Sequence, residues 1–305
     1  MNIRPQELPE IRAELASDLA KPGMAWFYKD RAEALARRGL KVDEADAFSR
    51  NAGYDFQQME VSCLLLCQLF FVAEEMYELA KAAAASLPPY TLLPEDVPSD
   101  FGFAYLAPGT HIPNGNLNAI AAVEWWTTPT GVRLNFYCDT ETMISTMAAV
   151  GKCTPEQAAA QRALMGRLSS MAAEAFIEFG HHPLDHVAIG DEQFIRTIRA
   201  MWLLMQQPLA RTAEVEPDRP ARKRLRRAGH EPAPVRVIEL RRPTNSGAHG
   251  DGDREYHHQW IVRGHWRQQW HPARQVHRPV WIAPHIKGPE GAPLIGGEKV
   301  YALKR

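Results

Sequence analysis

Two adjacent prolines, Pro88 and Pro89, divide the chain by pattern. Before them, residues 55–86 place Phe56, Met59, Cys63, Leu66, Phe70, Met76 and Leu79 at helical spacing. Leu87-Pro88-Pro89 stops that pattern, because proline has no amide hydrogen to continue a helix and restricts the residue before it. After the prolines, residues 101–106, 119–126 and 132–138 are short runs rich in aromatic and β-branched side chains, and Thr130-Gly131 offers a hairpin turn. The pattern predicts helices over residues 5–87, followed by a small antiparallel sheet packed on them. Trp125 and Trp126 then point to opposite faces of one strand.

Helical signals return at Thr154-Pro155-Glu156-Gln157. Thr154 can cap, Pro155 suits the first helical position, and Gln157 can complete a capping box. That helix is expected to reach residue 179, with a loop over 180–190. A second helix is expected over 191–207, its apolar side formed by Phe194, Ile198, Met201, Trp202 and Met205. Residues 61–73 are the longest apolar run; they include Ser62 and Gln68, are too short to cross a bilayer, and predict a buried core helix. The first 19 residues carry Glu7, Glu10, Glu14 and Asp18 without the basic start and apolar run of a secretory leader. The 4 cysteines include no CxxC pair, so neither a disulfide framework nor a zinc ribbon is expected. Cys63 and Cys67, on one helix face, read as small buried hydrophobes in a reduced, cytoplasmic compartment.

The formal net charge of -1 hides a split. Residues 219–305 hold 18 Lys+Arg against 7 Asp+Glu, whereas residues 1–218 hold 17 against 29. Eight of the 12 histidines also lie in the basic part. Such asymmetry points to two domains with different partners. The fold class expected is α+β: an acidic, mainly helical domain with a small sheet over 1–207, a basic connector over 208–230, and a small basic, His/Trp-rich β domain over 231–305. Leu225 is nearly the only apolar anchor of the connector. Strands are expected at 235–241, 256–267, 280–287 and 299–304, with a glycine-rich loop at 245–253.

Residues 256–267 carry the sharpest chemical signal. In a strand, Tyr256, His258, Trp260, Val262, Gly264 and Trp266 would share a packing face, and His257, Gln259, Ile261, Arg263, His265 and Arg267 the other. Arg263, His265 and Arg267 would then form a row about 13 Å long. Arg263 and Arg267 offer forked donors suited to a phosphodiester. His265 between them can move a proton near neutral pH, with His271, His277 and His285 as candidates for a second proton-transfer group. A ribonuclease that works without metal needs an acid, a base and a cationic stabiliser of this kind. The plainer alternative is a solvated outer sheet face. Nucleic-acid contacts are expected from Arg222, Lys223, Arg224, Arg226, Arg227, Trp270, Arg274, Arg278 and Lys287, since basic stretches interleaved with aromatic rings suit a polyanion with stackable bases. Trp260 and Trp266 read as core.

The run Trp260-Ile261-Val262-Arg263-Gly264-His265-Trp266-Arg267, with His277-Arg278 and residues 281–290, resembles the C-terminal segment of uncharacterised proteins of actinobacteria and their phages. The resemblance covers about the last 75 residues and implies a phage or prophage setting, without an assigned activity.

His181-His182-Pro183-Leu184-Asp185-His186 gathers three imidazoles and a carboxylate, but its spacing matches no metal motif, and it falls one residue short of the HHxxxD signature of some acyltransferases. It reads as a loop; no metal or cofactor is expected. No Walker A, GxGxxG, HExxH or GxSxG sequence is present to suggest an ATPase, a dinucleotide enzyme, a zincin or a serine hydrolase. The leading expectation is a nucleic-acid-directed protein, RNA favoured, with Arg263, His265 and Arg267 as the catalytic set if it is an enzyme. The rival is a non-enzymatic module whose basic part docks an acidic protein surface, its own N-terminal part included. Alanine-rich residues 72–86 and 157–176 would suit homodimer contacts, and no membrane is expected as partner.

Overall fold

The computed structural model describes residues 3–37, 51–111, 119–180, 192–241, 257, 259–272, 275–289 and 293. Leu8, Ile11, Leu15 and Leu19 recur at helical spacing and form the buried stripe of α1 (Leu8–Leu19). It is followed by α2 (Ala25–Arg37), α3 (Ala52–Leu66), β1 (Gln68–Val72) and α4 (Glu74–Ala84). Three consecutive antiparallel strands come next: β2 (Phe101–His111), β3 (Ala119–Thr128) and β4 (Gly131–Asp139). Then α5 (Thr140–Ala149), α6 (Pro155–Leu164), β5 (Leu168–Glu178), α7 (Glu192–Met205), β6 (Ala210–Val215), α8 (Arg219–Arg227) and β7 (Val235–Leu240) complete the main body.

Seven strands form one sheet in the order β5-β4-β3-β2-β1-β7-β6. The central β1 runs parallel to both β2 and β7, and the remaining pairs are antiparallel. Because side chains alternate across a strand, β1 supplies Phe70 and Val72 to one core and Leu69 and Phe71 to the other. The first core is closed by α4 and α7, the second by α1, α2 and α3. Trp125 packs on Trp202 of α7 in the first core, with ring centroids 5.5 Å apart.

Several local signals appear as expected. Thr154 accepts from the Gln157 amide at 3.2 Å while Gln157 accepts from the Thr154 amide at 2.8 Å, closing the capping box of α6. The turn before Gly131 joins β3 to β4, and α4 ends ahead of the two prolines. The small sheet, however, is three strands of a large one. Residues 68–72 are not helix: Leu69-Phe70-Phe71-Val72 is buried on both faces, so it lacks the alternation of a half-exposed strand and reads like a core helix. The helix expected to reach residue 179 stops at Leu164, and β5 follows, where pairing with β4 outweighs the helical propensity of Met171-Ala172-Ala173-Glu174.

The sheet also crosses the boundaries expected at 207 and 230. β6 comes from the expected connector, and β7, from the expected C-terminal domain, sits between β1 and β6. What stands apart is the segment after residue 258: β8 (Trp260–Val262), β9 (His265–His271), β10 (Val276–Ile282) and β11 (His285–Lys287). The loop at 245–253, the strand at 299–304, the 181–186 histidine cluster, Tyr256, His258, Arg274 and Glu290 lie outside the described residues. No helix is long and apolar enough to cross a membrane among those described.

Candidate nucleic-acid interface

β8 pairs with β11 and β9 with β10, both antiparallel and in one continuous register, from Trp260↔Lys287 to His271↔Val276. The four strands are therefore two arms of a single hairpin, bent where Arg263-Gly264 faces Ala283-Pro284. Gly264 is required at the bend: a Cβ there would lie 2.5 Å from the Trp281 ring. The single strand expected over 256–267 is thus broken at Arg263-Gly264, but the expected alternation survives the break: Arg263, His265 and Arg267 are exposed while residues 262, 264 and 266 are partly buried. His265 and Arg267 remain on one face of β9, whereas Arg263 sits in the bend.

The bend treats two histidines alike. His265 Nδ1 lies 3.0 Å from the carbonyl of Arg263, and His285 Nδ1 lies 3.0 Å from the carbonyl of Ala283. A carbonyl only accepts, so Nδ1 carries the proton in both rings and Nε2 is turned away from the backbone. Both imidazoles are exposed.

One face of the inner arm is a seat. Trp266 and Trp281 are directly opposite across β9 and β10 and meet edge to face at 5.3 Å. Trp281 is buried in the first core, and Trp266 donates its indole N–H to the Ala83 carbonyl at the end of α4 at 2.8 Å. Arg278 forms an ion pair with the buried carboxylate of Asp96, whose other oxygen accepts the Leu93 amide at 2.8 Å. Gln207 accepts the Trp281 amide at 3.1 Å. Trp266, expected as core, is partly buried and packs against the first core, and Trp260, also expected as core, is partly buried too.

Away from the seat, the hairpin is exposed and cationic. Arg263, His265, Arg267, His285 and Lys287 are exposed, and Arg267 donates to Gln269 of its own strand at 2.8 Å. Trp270 is 44% exposed, with its ring 4.8 Å from that of His277. A signal in the sequence strengthens this picture: residues 257–289 contain no aspartate or glutamate at all. Within these residues no carboxylate is available to Arg267 or Lys287.

The other predicted basic residues are elsewhere. Asp218 caps α8 by accepting from the Ala221 amide at 2.8 Å, and Ala221 and Leu225 are its buried side. α8 packs on α1, which covers the second core, whereas the hairpin covers the first. The two basic patches therefore lie on opposite sides of the sheet and do not make one surface. Arg224 donates to both oxygens of Glu10 of α1, at 2.6 and 3.0 Å, and Arg226 faces Glu231 at 3.9 Å. Arg222, Lys223 and Arg227 are exposed.

Sequence reading also missed a buried network under α3. Glu124, fully buried on β3, accepts from the Tyr137 hydroxyl at 2.5 Å and from Asn135 at 3.1 Å, and the Cys67 thiol lies 4.0 Å away. Burial, with the Glu124 charge beside it, pushes the Tyr137 hydroxyl and the Cys67 thiol well above their ordinary values. Burial, with Glu124 and Glu60, pushes the Cys63 thiol up to about 11. These groups stay protonated at neutral pH, so the thiols are not nucleophiles there; they behave as the buried hydrophobes expected, though Cys63 is only half-buried. Among the described residues, no group of three His, Cys, Asp or Glu side chains could hold a metal ion.

Comparison of the chain with protein-family models and with curated proteins finds no match.

Proposed function

We propose that this protein binds single-stranded nucleic acid, RNA in the first place, along the outer face of the bent C-terminal hairpin. The observation that carries this reading is the set of exposed cations beside an exposed indole on a segment without any carboxylate. Arg263, Arg267 and Lys287 would meet phosphates, and Trp270 would stack on a base. An unpaired strand suits this face better than a duplex, because the indole can reach the flat side of a base only where bases are unstacked.

Cleavage is not part of the proposal. Arg263 lies in the break between β8 and β9, off the strand that carries His265 and Arg267, and His265 is exposed to solvent. The rival reading, in which a basic segment docks an acidic surface of the same chain, suits α8, whose Arg224 grips Glu10.

The test uses the full chain with labelled single-stranded RNA, single-stranded DNA and duplex DNA in the presence of a chelator, following anisotropy and product size together. The expected result is binding to the single strands without cleavage, weakening with salt at a log–log slope of about −2 if three phosphates are neutralised. Failure to bind any of the three at low salt removes the reading. Cleavage under chelation would restore His265 as a catalytic group.

A further inference from the structure

Helix α8 turns only two side chains inward. Ala221 and Leu225, four residues apart, share one side of the helix and are buried. On the opposite side, Arg219, Lys223 and Arg227 form a row at the same spacing, and Arg222 and Arg226 form a second row beside it. All five cations are exposed. Arg224 is not one of them: it stands on the flank towards α1, where Glu10 holds it.

Little on the protein answers the two rows. Asp218 caps the helix through the Ala221 amide. Arg226 stands 3.9 Å from Glu231, whose side chain is 88% exposed, and such a pair contributes little. Arg219, Arg222, Lys223 and Arg227 make no ion pair among the described residues. Leu225 is the one large apolar side chain of α8, and it faces inward.

We propose that the outer face of α8 is a second nucleic-acid site, for a double helix, held through backbone phosphates without reading base sequence. The partner follows from what the face contains and what it lacks. A protein interface has a core depleted in charge, and a helix lying in a lipid surface turns an apolar side to the lipid. A single strand is held by stacking as well as by charge. The outer face of α8 has neither an apolar core nor an aromatic ring. Two rows of cations on a rigid helix suit a rigid, regular array of phosphates instead. From Arg219 to Arg227 the helix rises about 12 Å. A duplex carries about seven negative charges over that length, enough for all five cations. α8 covers the second core and the hairpin the first, so this site is separate from the hairpin and does not rest on what the hairpin binds.

The experiment titrates the full chain into two labelled DNA duplexes of equal length and unrelated sequence, following anisotropy over a range of salt. The two duplexes bind equally, and affinity falls steeply with salt. The triple variant Arg219→Gln, Lys223→Gln, Arg227→Gln removes one row. It keeps the urea midpoint of the parent, loses more than about tenfold in duplex affinity at low salt, and lowers the log–log salt slope by about 2.7, or about 0.9 for each phosphate released. Lys223→Gln alone lowers the slope by about 0.9 and decides the matter if the triple variant does not fold. Lys152→Gln takes the same charge from the exposed turn between α5 and α6 and leaves duplex binding unchanged. An equal loss in Lys152→Gln and Lys223→Gln would reduce the effect to net charge and overturn the proposal. No duplex binding at low salt, an unchanged slope in the α8 variants, or a clear preference for one sequence also overturns it. So does polyglutamate that displaces the duplex at equal charge, since the face would then belong to an acidic protein surface.

Discussion

Helix α8 and the bent hairpin are both rich in arginine, but they are held and balanced in different ways. α8 lies on α1, with Ala221 and Leu225 inward, and its Arg224 is matched by Glu10 across the contact. The hairpin lies on the opposite side of the sheet, seated by Trp266 and Trp281 and by the Arg278–Asp96 pair. Its remaining cations project from a segment that contains no acid. A dense basic run is therefore not by itself the less neutralised patch. α8 holds more positive charge in fewer residues, yet part of it is already answered by the protein itself.

The comparison breaks first at the seat. Trp281→Ala removes a buried indole and should cost about 3–5 kcal/mol of stability, read from urea unfolding; a loss below about 1 kcal/mol would mean the hairpin is not docked as described. Asp96→Asn leaves Arg278 without its partner and should cost about 3 kcal/mol, whereas an unchanged midpoint would show that the indoles alone hold the arm. Trp270→Ala should leave unfolding unchanged but weaken single-stranded RNA binding by about 1–3 kcal/mol, measured by anisotropy. Equal binding by this variant would move the contact off the hairpin face. The smallest effect belongs to α8: Arg224→Ala breaks an exposed pair and should alter neither the melting temperature nor RNA affinity to a measurable degree. Lost RNA binding in Arg224→Ala would reverse the ranking of the two patches.

Much of the local structure was legible in the residues. The capping box of Thr154 and Gln157, the proline stop after α4, the β3–β4 turn and the apolar side of α7 all rest on interactions within a few positions. The hairpin strands were legible too, but their break was not. It depends on Trp281 packing over Gly264 from the other arm, a contact between residues 17 positions apart. The expected exposure of Arg263, His265 and Arg267 at alternate positions nevertheless carries across that break. The cationic character of the same residues needed only composition, and the missing carboxylates of residues 257–289 were visible without any structure.

By itself, then, the sequence determined where helices start and stop, which segments turn, and where positive charge accumulates, because those properties follow from neighbours along the chain. Tertiary structure alone decided that residues 68–72 form the central strand, that β7 joins the main sheet, and that the basic residues divide between its two sides. Strand pairing and ion pairs join residues as distant as Phe70 with Arg236 and Glu10 with Arg224. Neither partner's neighbours hold any sign of the other, so only the folded chain brings them together.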